Sequence, residues 1–178
     1  MYPTHMQADV LLLKMLAEAH AEALIGYVLV DMSISSSTQR FVLNLHDQKR
    51  TRSLFQATPE GGFVHIAPHL IAWNDLTATE RDYLIALDQH TPALSWLWVD
   101  TDGTRTLYRH LKAQLDMQLP DGGLALLRYY DPSVWQRLMH LLTPEQITTL
   151  MGPVHYWGIR LNDQQKFFNR QGRLACLN

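Results

Sequence analysis

Residues Leu124–Leu138 read LALLRYYDPSVWQRL and place a charged and aromatic cluster at the end of an apolar run. A proline disfavours helical backbone for the residue before it, so Asp131 is predicted to be extended. Pro132 suits the first position of a helix, and the Asp131 carboxylate can accept hydrogen bonds from the free amides that follow. The stretch therefore predicts a strand over Leu124–Asp131 that passes directly into a helix.

A buried strand over Leu124–Asp131 carries Arg128 near its end, where the guanidinium must reach water or a carboxylate. The segment Tyr27–Met32, YVLVDM, is a second predicted buried strand, and Asp31 is its next-to-last residue. If the two strands were parallel neighbours, both charges would lie at the same end of the sheet. We therefore predict an ion pair between Asp31 and Arg128. The alternative is that these residue types serve only the local joint between a strand and a helix.

The composition predicts a folded protein without a nucleic-acid or membrane partner. Of 178 residues, 47% are hydrophobic and 18% are charged, which excludes a disordered tail. The net charge is −2 and no basic block stands out, so we expect no nucleic acid. Lys14, Glu18 and Glu22 interrupt the most apolar stretch, so we expect no membrane insertion. The single cysteine, Cys176, and the lack of a signal-peptide pattern favour a cytoplasmic location.

Predicted helices and strands alternate along the chain. The helices are predicted at Ala8–Leu24, around QRFVLNL behind a serine cap, from Thr77 to His90, around Leu107–Leu115, over SVWQRLMHLL, and from Thr143 to Gly152. The strands are predicted at Tyr27–Met32, Thr51–Gln56, Phe63–Trp73, Leu94–Val99, Leu124–Asp131 and Val154–Leu161. This order predicts an α/β fold, with a single layered domain over residues 1–178 and a mixed β-sheet flanked by helices.

The chemical motifs that we tested do not predict catalysis or metal binding. His65 and His69 are four residues apart, but Pro68 disfavours a helix there, and on a strand their side chains are too far apart for one zinc ion. The segment DTDGT, residues 100–104, lacks the later ligands of a calcium loop. The sequence contains no phosphate-binding glycine loop and no nucleophile elbow. We expect no catalytic residue, metal or cofactor.

The segment LPDGGLALLRYYDPSVWQRLMHLLTPEQITTLMGPVHYW resembles the type VI secretion effector adaptor (effector chaperone) family, first catalogued as a bacterial domain of unknown function. The family hallmark is a strand ending in Arg-Phe/Tyr-Tyr-Asp-Pro, then a helix and a Gly-Pro turn, preceded by a helix with His-Leu. The matching residues are Arg128, Tyr129, Tyr130, Asp131, Pro132, Gly152, Pro153, His110 and Leu111. YVLVD, SLFQ, IAPHLI and LSWLWV resemble earlier family segments, so the resemblance covers about residues 26–157. His69 stands where the family usually has tyrosine, and the chain lacks most of a second, helical lobe.

The resemblance implies a non-enzymatic adaptor that binds a secreted effector in the cytoplasm and helps load it onto the valine-glycine-repeat spike protein. Such adaptors are typically encoded between the spike and the effector. A partner helix in a hydrophobic groove is typically held by tyrosine, tryptophan and arginine side chains. We predict partner-binding residues at Arg128, Tyr129, Tyr130, Asp131, Pro132, Trp135, His110 and Trp96. We predict that Asp31, Gly152 and Pro153 support this site.

Two other functions remain as alternatives. A small α/β enzyme or ligand-binding domain would use His110, Asp131 and Tyr130 in a closed pocket at the strand end. A structural or oligomerising domain would present a large self-complementary interface. The consecutive residues Leu11, Leu12 and Leu13 predict a first helix buried on two sides, and the alternative is that part of it meets the partner. Direct contact with the spike protein and self-association also stay open.

Overall fold

A six-stranded sheet forms the centre of the fold. The computed structural model describes residues 10–119 and 121–175. The strands are β1 (Ile25–Asp31), β2 (Arg52–Ser53), β3 (Pro68–Ala72), β4 (Leu94–Val99), β5 (Asp116–Gln118), β6 (Leu124–Leu126), β7 (Val154–Leu161) and β8 (Gln164–Asn169). The sheet order is β2-β3-β1-β4-β7-β8, with every neighbouring pair antiparallel, while β5 and β6 form a separate hairpin.

Most of the α-helices begin next to a residue whose side chain caps them. They are α1 (Val10–Ala21), α2 (Ser36–Asp47), α3 (Ala78–His90), α4 (Thr101–Ala113), α5 (Pro132–Leu141) and α6 (Pro144–Met151), with 3₁₀ helices at Pro59–Ile66 and Trp73–Asp75. The Ser35 side chain accepts from the amide of Thr38 at the start of α2. Complete capping boxes begin α3, through Thr77 and Glu80, and α6, through Thr143 and Gln146. The serine cap and both capping boxes are confirmed, because capping depends on residues only three positions apart.

Helices cover both faces of the sheet. Alternate residues of β4 point to opposite sides, and all six of them are buried. On one side, Trp96 and Trp98 pack in a cluster with side chains of α1, α2 and α3. On the other side, Leu97 and Val99 pack in a second cluster with side chains of α4, α5 and α6. The α/β class is therefore confirmed, and the site predicted at residues 128–135 lies on the face covered by α4, α5 and α6.

The first helix begins at Val10 in the described part of the chain, within the range predicted from the sequence. Leu12 is buried in the cluster formed with α2 and α3. The side chains of Leu11 and Leu13 fall outside the described set, as do the residues Ala8 and Cys176. No helix among the described residues is long and apolar enough to cross a membrane.

Two predictions about the sheet are wrong. The sheet is not mixed, because all of its described pairings are antiparallel. The predicted strand Leu124–Asp131 is a strand only over its first three residues, and it pairs with β5 instead of β1. A turn follows, in which the Asp131 amide donates to the Arg128 carbonyl at 3.0 Å. The turn lets Tyr129 and Tyr130 enter the same core cluster, whereas a strand would direct them to opposite faces.

Two further segments differ from the sequence prediction. Residues 63–66, predicted as the start of a strand, belong to the 3₁₀ helix Pro59–Ile66, and β3 begins only at Pro68. The carboxyl-terminal strand β8 was not predicted, because its polar residues Gln164, Gln165 and Lys166 give no apolar run. β8 nevertheless pairs with β7 along its whole length and completes the sheet.

A fully buried histidine lies in β3, where the resembling family usually has tyrosine. The Nδ1 atom of His69 lies 3.3 Å from the Thr51 hydroxyl, and the ring of His46 stands edge-on at 5.3 Å. Burial, together with the positive charge of His46, lowers the pKa of His69 to about 4. The folded protein therefore holds this side chain neutral under conditions in which the unfolded chain binds a proton.

We expect acid to weaken the fold through His69. Between pH 6.5 and about pH 4 the unfolded chain binds a proton that the folded chain does not, so the free energy of unfolding falls as the pH is lowered. The full shift corresponds to roughly 3 kcal/mol. Urea unfolding at several pH values in this window should show a flatter pH dependence for His69→Phe than for the wild type. His65→Phe, at an exposed histidine, is the matched control and should keep the wild-type dependence.

Candidate functional site

A buried carboxylate marks the end of β1. Asp31 is fully buried, and its Oδ1 atom accepts hydrogen bonds from the backbone amide of Ser33 at 2.9 Å and from the Ser33 hydroxyl at 2.6 Å. A buried carboxylate needs a cation as well as neutral donors to offset the loss of water. The second oxygen, Oδ2, is left to meet that cation.

Arg128 supplies the positive charge. Its Nη2 atom lies 3.0 Å from Asp31 Oδ2, 3.1 Å from the Ser33 hydroxyl and 3.8 Å from Asp131 Oδ2. The predicted ion pair is therefore confirmed, although the two residues do not lie on parallel strands. The turn before α5, and not the end of a long strand, brings the guanidinium to β1. The Arg128 side chain remains 43% exposed, so one side of it faces solvent.

Asp131 joins this turn to α5. Its Oδ1 atom accepts from the backbone amide of Ser133 at 2.8 Å, from the Ser133 hydroxyl at 2.7 Å and from the amide of Val134 at 3.4 Å. Pro132 occupies the first turn of the helix, where a missing amide hydrogen costs nothing. The predicted cap is confirmed, and it leaves Asp131 Oδ2 directed toward Arg128.

The predicted aromatic contact residues lie in the core. Tyr129 and Trp135 are fully buried and Tyr130 is 3% exposed. Trp135 stacks on Trp157 with ring centroids 3.8 Å apart, and the Tyr129 hydroxyl donates to the Leu111 carbonyl at 2.6 Å. These side chains have almost no surface to offer a partner in this conformation. They pack around the turn and α5, and their contact with a partner stays a prediction.

Trp96 lies on the opposite side of the sheet from the turn. It belongs to the cluster under α1, α2 and α3, and its Nε1 atom donates to the Asp88 carboxylate at 3.1 Å. It is 1% exposed. The structure therefore does not bring Trp96 together with Arg128. Aromatic type alone gave no information about which face of the sheet the side chain would occupy.

His110 and the Gly-Pro turn form a separate contact on the same side of the sheet as α5. The Nε2 atom of His110 donates to the Leu150 carbonyl at 2.9 Å near the end of α6. Gly152 follows α6 with φ 51° and ψ −117°, a conformation that other residues rarely adopt. A Cβ atom at this position would lie 2.3 Å from the imidazole. Gly152 thus allows the backbone to pass close to His110, and Pro153 then leads into β7.

The three groups of the enzyme alternative do not form a shared hydrogen-bond network in the described residues. His110 binds a backbone carbonyl, and Asp131 binds the first amides of α5. Burial, with the negative charge of Asp31, raises the pKa of Tyr130 to about 12, so its hydroxyl stays protonated at neutral pH. This arrangement can hold the backbone of the turn in place and present the Arg128 guanidinium to solvent.

A comparison with protein families gives one match. A family model described as a domain of unknown function (DUF4123) matches residues 26–149, well over half of the chain. The matched span begins in β1 and ends within α6, so it includes Asp31, Arg128 and Asp131 but not Gly152. No curated protein matches the chain, and no solved structure matches it.

We expect Asp31 and Arg128 to be energetically coupled. In a double-mutant cycle of Asp31→Asn and Arg128→Met, the coupling free energy from urea unfolding should be about 1 to 2 kcal/mol. We do not expect a larger coupling free energy, because the Arg128 side chain is 43% exposed and solvent screens its charge. The matched pair is Asp31→Asn with Arg137→Met, an exposed arginine of α5, and these effects should add. Additive effects for the first pair would show that the contact contributes nothing to stability.

We expect Gly152→Ala to destabilise the protein by about 3 kcal/mol, because the new methyl group meets the His110 ring and the backbone conformation is unfavourable for alanine. Chemical unfolding measures this loss. Gly62→Ala is the control, since a Cβ atom at Gly62 would meet no atom within 4 Å. Equal stability of the two variants would contradict the proposed contact between Gly152 and His110.

Proposed function

The chain belongs to the DUF4123 family, a family known as type VI secretion effector adaptors and chaperones, and we propose that it binds a secreted effector before export. The proposal includes binding in the cytoplasm and delivery of the effector to the valine-glycine-repeat spike protein. Family membership is the observation that carries it. Because the family is generally non-catalytic, we propose that the protein acts by binding alone.

The arrangement of charges at the turn supports a binding role. Asp31 and Asp131 are engaged by Ser33, by the first amides of α5 and by Arg128. Charged groups held in this way fix the backbone of the turn before any partner arrives. A surface that is already ordered loses less conformational freedom on binding, which favours affinity.

Arg128 is the contact residue that we propose within the turn. Of the eight residues predicted to bind the partner, it alone is exposed. Its described hydrogen bonds to Asp31 and Ser33 use Nη2. A guanidinium has five donor hydrogens, so Arg128 can also bind a carboxylate of the effector while it keeps the internal pair. Tyr129, Tyr130 and Trp135 then act by holding the turn, and their effect on the partner is indirect.

Co-expression with the products of the neighbouring genes tests this function. We expect the tagged protein to co-purify with the effector encoded beside it. Arg128→Ala should weaken that complex roughly 10-fold, which is typical of a contact at an interface. Arg137→Ala, which removes an exposed arginine from α5, is the matched control and should bind normally. Circular dichroism should show that both variants are folded.

Other results would overturn parts of the proposal. If no neighbouring gene product binds the wild type, the adaptor function is wrong. A stable homodimer without any such partner would favour the oligomerising alternative. If folded Arg128→Ala binds the effector as tightly as the wild type does, the contact lies elsewhere on the protein.

A further inference from the structure

An open groove of about 420 Å³ lies between the β5–β6 hairpin and α6. Its apolar lining comes from Met117, Leu127, Leu142 and Leu150. The Met117 side chain is 41% exposed, although methionine is usually a core residue. The groove therefore exposes apolar surface that a partner can cover. The sequence does not indicate the groove, because the short strands of the hairpin give no clear pattern and Met117 belongs to no motif.

Hydrogen bonds to the backbone hold both walls of the groove in place. Leu127 directly precedes Arg128, and its amide donates to the Leu115 carbonyl at 2.7 Å. The ion pair of Arg128 with Asp31 therefore lies one residue from this wall. On the other side, the Leu150 carbonyl accepts from His110. Arg128 and His110, two of the residues predicted for the site, thus adjoin the walls of the groove.

The polar lining of the groove has one sign of charge. Asp116 and Glu145 are both exposed and line it, and no basic side chain among the described residues does so. A partner segment that fits must therefore bring apolar side chains together with lysine or arginine. A second copy of this chain in a two-fold dimer would set the same acidic groups against each other. The charge thus disfavours self-association through the groove.

We propose that this groove binds an amphipathic helix of the effector, with an apolar stripe flanked by basic residues. The proposal rests on the adaptor function and names the partner segment that the adaptor recognises. A groove with an apolar floor and a polar rim accepts such a helix through side chains at i, i+3, i+4 and i+7. Met117 and Leu142 contact the stripe, and Asp116 and Glu145 contact the basic residues.

Two synthetic helical peptides of about 14 residues test the groove, each with leucines at i, i+3, i+4 and i+7 and with either lysine or glutamate elsewhere. Fluorescence anisotropy measures their binding. We expect the wild type to bind the lysine peptide more tightly, and Met117→Glu to weaken that binding roughly 10-fold. Phe63→Glu replaces a 55% exposed apolar residue outside the groove, and it should bind like the wild type.

A charge reversal gives the sharpest test. The double variant Asp116→Lys, Glu145→Lys should prefer the glutamate peptide over the lysine peptide. An unchanged preference, or normal binding by folded Met117→Glu, overturns the groove proposal. So does a homodimer that Met117→Glu dissociates, because the groove is then occupied by a second copy.

Co-purification of the effector distinguishes failure of the groove proposal from failure of the adaptor function. We expect Met117→Glu and the double variant to lose the effector that the wild type binds. If both variants retain it fully, the groove proposal fails and the adaptor function stands. If the wild type binds no neighbouring gene product, the adaptor function fails, whatever the peptides do.

Discussion

The buried carboxylate of Asp31 is the constraint on which the arrangement of the site depends. It lies at the end of β1, near the middle of the sheet, and it requires a cation from another part of the chain. Arg128, 97 residues later, meets that requirement. The turn that carries Arg128 also starts α5, and α5 places Trp135 against Trp157 of β7. The ion pair of Asp31 with Arg128 thus helps to position the turn, α5 and β7 relative to β1.

The sequence predicted best what depends on neighbouring residues. A serine cap, which proved to be Ser35, and the caps at Thr77, Asp131 and Thr143 were predicted because each cap and its partner lie within a few positions. Strand direction depends on distant partners, so the parallel pairing and the mixed sheet were wrong. The ion pair of Asp31 with Arg128 was nevertheless predicted, because a buried charge demands a partner in any topology.

The aromatic residues of the predicted site lie in the interior of the protein. Tyrosine and tryptophan are enriched at protein interfaces, but the same large apolar surface suits the interior of a domain. In this chain Tyr129, Trp135 and Trp96 fill the interior. The groove depends on the path of the β5–β6 hairpin, whose strands of three residues each are too short to give a clear pattern. The types of side chain indicated which groups could recognise a partner. Only the fold showed which of those groups are exposed.

The placement of β7 limits how the chain can be shortened. β7 lies between β4 and β8 in the sheet, yet it begins beyond residue 149, where the family match ends. A fragment cut at that boundary would leave one side of β4 without hydrogen-bonded neighbours and would remove Phe167, whose ring contacts Trp98. Such a hydrophobic edge is a template for aggregation. We therefore expect a stable fragment to need β7 and β8 and to continue through Asn169.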